Sequence, residues 1–295
     1  MKKTAANATA SPVRDDAKRR IGSDAPFLVG MTVLGGAYVV LIVAMLAADA
    51  TFTSIPSMLA TLESPDIRFS MWLSIISCTA SAVLSVVVAV PIGFLMSRKS
   101  FWGKSLIDSV LDVPIVLPPL VVGLSLLILF QIKIRGDATL DDLITGALNA
   151  VGISVRSITY EVPAVILAQF TVACAFSVRT MRVTFDQIDP RVENVALTLG
   201  CNLRQAFFAV TMPQAWRGVV AAFTLAWARS LGEFGPILIF AGATRMRTEV
   251  LSTSVFLEFS VGNLDGAVAV SMIMVTVAMI VLILARVLGM SRAMV

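Results

Sequence analysis

The chain alternates long apolar runs with short polar stretches, and the runs are of similar length. They fall at residues 26–48 and near 70–97, 113–132, 160–182, 214–242 and 266–288. A helix rises about 1.5 Å per residue, so about 20 residues cover the roughly 30 Å of hydrocarbon in a bilayer. The pattern predicts six transmembrane helices. Pro91, Pro114, Pro118, Pro119, Gly123, Pro163, Gly232, Gly235 and Pro236 fall inside these runs and would break helices in water. Within a bundle they are tolerated where neighbouring helices or a cavity satisfy the freed backbone groups. In the first run, Ala48-Asp49-Ala50 resembles a secretory cleavage site. The run is longer than the about 7–15 residues of a signal core, so it predicts an uncleaved first span.

Composition fits that pattern. Hydrophobic residues make up 57% and charged residues 14%, with a mean hydropathy of +0.89. A soluble domain sits near about 45–50% and about 25%. The expected fold class is an all-α integral membrane protein, multi-pass. Histidine is absent, which removes His-based metal sites, proton relays and Ser-His-Asp chemistry. Cys78, Cys174 and Cys201 imply no disulfide framework. The net charge of +4 suggests nucleic-acid affinity only until the charges are placed; sorted by membrane side, they give no such partner. Residues 1–25 are basic and without hydrophobic period, and are expected to form a disordered cytoplasmic tail. With the amino terminus inside, Lys and Arg number six in the tail, three at 98–104, five at 179–217 and two at the C-terminal end. The opposite side holds six, and Arg229 lies within a span. The positive-inside rule therefore predicts both termini, and the 183–213 stretch, in the cytoplasm.

That stretch is patterned. Asp189-Pro190 suits a helix start, and Val192, Val195, Ala196 and Leu199 repeat at helical spacing as one short apolar face. Gly200 is a helix stop, a second amphipathic segment runs from Leu203 to Val210, and Pro213 precedes the fifth span. Periodicity alone fits an interfacial hairpin without a partner equally well. Asn194-Val195-Ala196, then Gly200, then Val210-Thr211-Met212-Pro213 resembles the EAA-type coupling loop of binding-protein-dependent ABC importer permeases. Asn194 stands at the family's glutamate position and Glu193 one residue earlier. The acid's usual contact is then either lost or made from a rotated position. The resemblance implies a cytoplasmic coupling loop over 186–213 that docks in a groove on a separate ATPase. Glu193, Asn194, Val195, Ala196, Leu199, Gly200, Arg204 and Pro213 would be its coupling residues.

Two further stretches narrow the resemblance. Pro114-Ile115-Val116-Leu117-Pro118-Pro119 with Val121-Val122-Gly123 is similar to the third span of molybdate- and sulfate-type permeases. Trp227-Ala228-Arg229-Ser230-Leu231-Gly232-Glu233-Phe234-Gly235, with Phe240-Ala241-Gly242, is similar to their fifth. A permease core is expected over 70–290, with 26–48 as a separate first helix. The resemblance implies a homodimeric permease in a bacterial or archaeal cytoplasmic membrane, moving by alternating access. Its partners would be a dimer of ABC ATPase subunits and an extracytoplasmic solute-binding protein. The chain would bind no cofactor, ATP-Mg residing on the ATPase, and would not be an enzyme. The implied cargo is an oxyanion, molybdate or tungstate ahead of sulfate or thiosulfate.

Arg229 and Glu233 are the ionisable residues expected well within a span, four apart on one helix face. A lone charge at mid-bilayer costs about 2.5–3.5 kcal/mol, so each needs a partner or a cavity. Either the pair neutralises itself and locks the bundle, or it lines the pathway, with Arg229 attracting an oxyanion and Gly232 and Gly235 letting the helix bend at a gate. Ser74, Ser77, Thr79, Ser81, Ser85, Gln169 and Thr171 could line a path or bond helix to helix. Residues Thr248 to Ser260 predict an outer helix that either receives a binding protein or caps the bundle. Gly103-Lys104-Ser105 echoes a phosphate loop but has Arg98 where the first glycine is needed, so the chain is not expected to bind ATP. A secondary transporter is disfavoured by the single Arg–Glu pair and the lack of an inverted repeat. A membrane enzyme would need a nucleophile or metal cluster that the sequence does not display.

Overall fold

The computed structural model describes residues 24–291 except 54, 136 and 153. The expected tail lies almost wholly outside the described residues, as does Arg292. The chain divides into two compact units, one ending at Ala48 and one beginning at Asp49. Helix α1 (Ala25–Phe52) supplies the described part of the first unit. It is apolar on every side and buries none of its residues, a combination that suits lipid rather than water.

The second unit is helical apart from one small hairpin. In chain order it comprises α2 (Ile55–Glu63), α3 (Pro65–Arg98), α4 (Lys104–Val116), α5 (Pro119–Gln131), the antiparallel pair β1 (Lys133–Arg135) and β2 (Ala138–Thr139), and α6 (Leu140–Ala150). Then follow α7 (Val162–Asp186), α8 (Pro190–Thr198), α9 (Leu203–Ala206), a π-helical turn (Phe207–Thr211), α10 (Met212–Leu231), α11 (Gly235–Phe240), α12 (Leu251–Ser260) and α13 (Leu264–Ser291). Helices α3, α7 and α10 pack side by side as the centre of the unit.

Small residues make that packing possible. Ser70, Ser74, Ser77, Ser81 and Ser85 follow one another at three or four residues along α3, and all are buried. Ala82, Ala89, Ala173, Ala222 and Ala226 are fully buried with them. Lipid tails are as apolar as leucine, so helices in a bilayer gain most from close van der Waals approach and interhelical hydrogen bonds. The Ser81 and Ser230 hydroxyls lie 3.0 Å apart, Ser177 donates to the Ala222 carbonyl at 3.2 Å, and Gln169 donates to the Ser230 carbonyl at 3.3 Å. Ser74, Ser81 and Gln169 therefore bond one helix to another, Ser77 donates to the Ser74 carbonyl of its own helix, and Ser85 is buried between the helices. Thr79 accepts from the Trp227 indole at 3.2 Å, and Thr171 donates to its own helix.

Among the described residues four helices are long and apolar enough to cross a membrane: Ala25–Phe52, Pro65–Arg98, Val162–Asp186 and Leu264–Val287. The expected third span is not one straight helix. It is the pair α4 and α5, bent by 112° and a fifth crossing if taken as one. Leu117 and Pro118 are extended at the break, as a residue ahead of proline prefers. The expected fifth span is likewise broken, at Gly232-Glu233-Phe234, into α10 and α11. Pro213 does not separate the 186–213 segment from that run. The helix passes through it after the π turn, in which the Met212 N–H reaches back to the Phe207 carbonyl, an accommodation for a residue that cannot donate. The 133–158 loop contains α6, started by a reciprocal cap between Thr139 and Asp142.

Candidate functional site

Two places gather the residues singled out by the sequence. The first is the segment around α8. Asp189 caps it by accepting from the Arg191 N–H at 2.9 Å, and Pro190 stands in its first turn. Gly200 ends it at φ +93°. There the Cys201 N–H bonds the Ala196 carbonyl and the Gly200 N–H the Leu197 carbonyl, both at 3.1 Å. This is the closed C-terminal turn for which glycine is favoured. Asn202 and Gln205 then cap α9 reciprocally, at 2.8 and 2.9 Å. Two rigid pieces meet at a defined corner.

Glu193 is buried at 7% exposure, whereas Asn194 is exposed. The carboxylate accepts from Arg98 Nε at 2.9 Å. Arg98, in the last turn of α3, also donates to the Phe185 carbonyl at 2.9 Å and the Ile188 carbonyl at 2.8 Å. The Glu193 contact is made from the position before the motif's own. One guanidinium thus ties α3, the end of α7 and α8 together, and charge-assisted bonds are among the stronger ones available. No local pattern marks Arg98 as the partner of an acid ninety-five residues away.

The expected single apolar face of α8 divides. Ala196 points inward at 7% exposure, while Val192, Val195 and Leu199 are exposed, Leu199 at 80%. Glu193 and Ala196, three apart, turn one edge of that face to the bundle, and Val192, Val195 and Leu199 are left on its uncovered side. Leu203 and Phe208 extend the outward patch. Arg204 and Pro213 are also exposed.

The second place is the break between α10 and α11. Glu233 is 2% exposed, and its Oε1 lies 3.1 Å from Arg229 Nε. The Arg229 side chain remains 41% exposed, with its guanidinium 5.3 Å from the centre of the Phe176 ring. The carboxylate is thus enclosed, while the cation keeps a face toward open space. Ser252 of α12 donates to the Glu233 carbonyl at 2.7 Å, satisfying an acceptor that the break sets free. Gly235 has a packing reason: a Cβ there would lie 3.0 Å from the Leu120 nitrogen and 3.1 Å from Pro119 Cβ. Gly123 is tighter still, 2.8 Å from Pro236 Cα. The two motifs of the third and fifth spans therefore touch, α5 against α11. Gly232 has negative φ and no atom nearer than 3.8 Å to a built Cβ, so neither conformation nor packing demands a glycine.

Arg229 and Glu233 are not the only charges on these helices. Asp108 and Asp112 lie on α4, and Asp108 pairs with Arg182 of α7 beside a cavity of about 110 Å³ that Arg179 also lines. Their spacing of four was a signal, hidden because the run was expected to begin at 113. At the other end, Arg245 bridges Asp66 at 3.2 Å and Glu258 at 2.8 Å, and Arg247 pairs with Glu161. The Arg247 hydrogen bond holds the Glu161 carboxyl below its ordinary range, whereas burial pushes Glu249, bonded by Ser254, upward. Helix α12 buries Leu251, whose N–H donates to Ser74 at 2.8 Å, and exposes Phe259. It packs mainly against α13 and more lightly on α3.

Known proteins are similar to this chain. The family model described as binding-protein-dependent transport system inner membrane component matches residues 89–291. A molybdate/tungstate transport system permease protein of Pyrococcus abyssi is 33% identical over 181 residues, 61% of this chain and 63% of that relative. A molybdenum transport system permease protein of Mycobacterium tuberculosis is 33% identical over 261 residues, 88% of this chain and 94% of the relative. The crystal structure of a bacterial alginate ABC transporter, in complex with a pentasaccharide-bound periplasmic protein, contains a chain of the same fold. Its TM-score is 0.66 at 15% identity, covering 89% of this chain and 93% of that one.

Proposed function

The chain belongs to the family of binding-protein-dependent transport system inner membrane components, and from that membership we propose a specific division of labour for it. It is one of two identical permease subunits, each crossing a bacterial or archaeal cytoplasmic membrane six times with both termini inside. Helix α10 and the bent pair α4–α5 provide the crossings that length and hydropathy alone leave uncounted. Residues 26–48 form a first helix added to a core over 70–290, and the tail 1–25 stays in the cytoplasm. The 186–213 loop seats on a separate ABC ATPase, which holds ATP-Mg, so the permease itself carries no cofactor and performs no chemistry. An extracytoplasmic binding protein delivers an oxyanion, with molybdate or tungstate ahead of sulfate because relatives at 33% identity are named for molybdate/tungstate or molybdenum transport.

The observation that carries this reading is the Arg98–Glu193 tie beneath an outward apolar patch. A short rigid helix with exposed Val195 and Leu199 suits a groove on a partner, and its anchorage to α3 and α7 lets a push on it move the spans as bodies. Arg229, half-exposed over Phe176, serves as a weak anion contact on the pathway, since a conduit must release what it admits.

The test is reconstitution with the cognate ATPase and binding protein, reading co-purification and ATP-driven molybdate uptake. Leu199→Glu should abolish co-purification with the ATPase, and Arg229→Gln should leave assembly intact while lowering uptake at least tenfold. Uptake by the lone chain without ATP would replace this reading with a secondary transporter, and normal uptake in Arg229→Gln would remove Arg229 from the pathway.

A further inference from the structure

The turn from Lys99 to Gly103 joins α3 to α4 and carries side chains that nothing else in the described chain covers. Trp102 is wholly exposed, at 101% of its reference area, and Phe101 beside it is 41% exposed. Helix α4 repeats the theme. Asp108 and Asp112 turn toward Arg182 and Arg179, while Leu106, Ile107, Val110 and Val113 face outward. A helix that turns its carboxylates toward a neighbouring helix and an apolar side away from it suits an apolar exterior. Beside the turn lies a cleft of about 540 Å³ in which Ile92, Leu95, Phe101 and Ile107 are joined by Lys99 and Ser100. Arg98 is fully engaged, yet neither Lys99 nor Lys104 enters an ion pair among the described residues.

We propose that this corner is a binding site for an anionic phospholipid. The acyl chain occupies the apolar cleft, the phosphate sits between the Lys99 and Lys104 ammonium groups, and the Trp102 indole lies at headgroup depth. Three features select lipid over a protein partner. The turn links two membrane-embedded helices, so it is held at the bilayer surface. Indole rings favour that depth. Two uncompensated cations match the negative surface of the cytoplasmic leaflet, where each basic residue contributes roughly a factor of five. The inference rests on the membrane-spanning reading of α3 and the α4–α5 pair. Its consequence reaches the coupling segment, because Arg98 adjoins Lys99: a lipid that pins this corner fixes the end of α3 to which Glu193 is tied.

The experiment uses the full chain, without its ATPase, in vesicles of phosphatidylcholine with or without phosphatidylglycerol. Trp102 fluorescence is isolated as wild type minus Trp102→Phe and quenched with lipids brominated either near the headgroup or near the bilayer centre. Quenching should be stronger from the shallow position and should rise when phosphatidylglycerol carries the bromine. The preference for phosphatidylglycerol should fall about fivefold in Lys99→Gln and about 25-fold with Lys104→Gln added. It should return when both lysines are replaced by arginine. An unquenched Trp102, or an unchanged preference in the folded double variant, would overturn the proposal. So would a Trp102 that becomes shielded only when the ATPase is added, which would make the corner a protein contact. Both leaflets hold the same lipid, so failure here leaves the proposed orientation standing.

Discussion

At the scale of single residues, one acid and one base decide how α8 is held. Glu193 and Arg98 are each about 10% exposed along their side chains, and removing one partner of such a pair leaves the other buried without its counter-charge. Glu193→Ala should therefore destabilise the purified chain by about 3–5 kcal/mol. Arg98→Ala should cost about as much, and the double variant no more than the worse single one. Additive losses in thermal unfolding would mean that the two side chains act independently. The sequence displayed both residues but not their pairing. Ninety-five positions separate them, and the motif drew attention to Asn194, which the structure leaves exposed. Gly200 was legible, because a glycine closing a short amphipathic repeat has few other uses, and its φ of +93° agrees.

At the scale of elements, the two broken helices are the least expected features and the most informative. The apolar runs reported how much chain lies in the membrane, but hydropathy does not register direction, so a 112° bend within a run left no trace in it. The prolines marked where a bend could occur. Whether it did depended on α11 lying against α5, with Gly123 facing Pro236 and Gly235 facing Pro119 and Leu120. Gly123→Ala should cost about 1–3 kcal/mol through overpacking against backbone, whereas Gly232→Ala should stay within about 0.5 kcal/mol. Thermal unfolding in detergent compares them, and equal effects would deny the close approach its role. The same logic explains the serine ladder of α3. Its residues could have lined a path, but their burial to 1% or less assigns them to helix packing.

At the scale of the whole molecule, orientation is the property on which the proposed coupling depends, and the chain carries its own probe. Cys201 is half-exposed beside Gly200, whereas Cys78 is buried in α3 and Cys174 lies within α7. A membrane-impermeant maleimide should label Cys201 in inside-out vesicles and not in right-side-out ones; the reverse result would invert the topology and place the loop away from ATP. The sequence by itself determined that the chain is helical and membrane-embedded, where its apolar runs lie and which segment resembles a docking loop. Those properties follow from solvent transfer and local periodicity, which act over neighbouring residues. Only the tertiary structure decided that the third and fifth runs break, that Glu193 rather than Asn194 holds α8, and that Glu233 is enclosed while Arg229 keeps an open face. Those outcomes depend on which distant backbones approach closely enough to exclude a methyl group or accept a charge, and no local pattern encodes that.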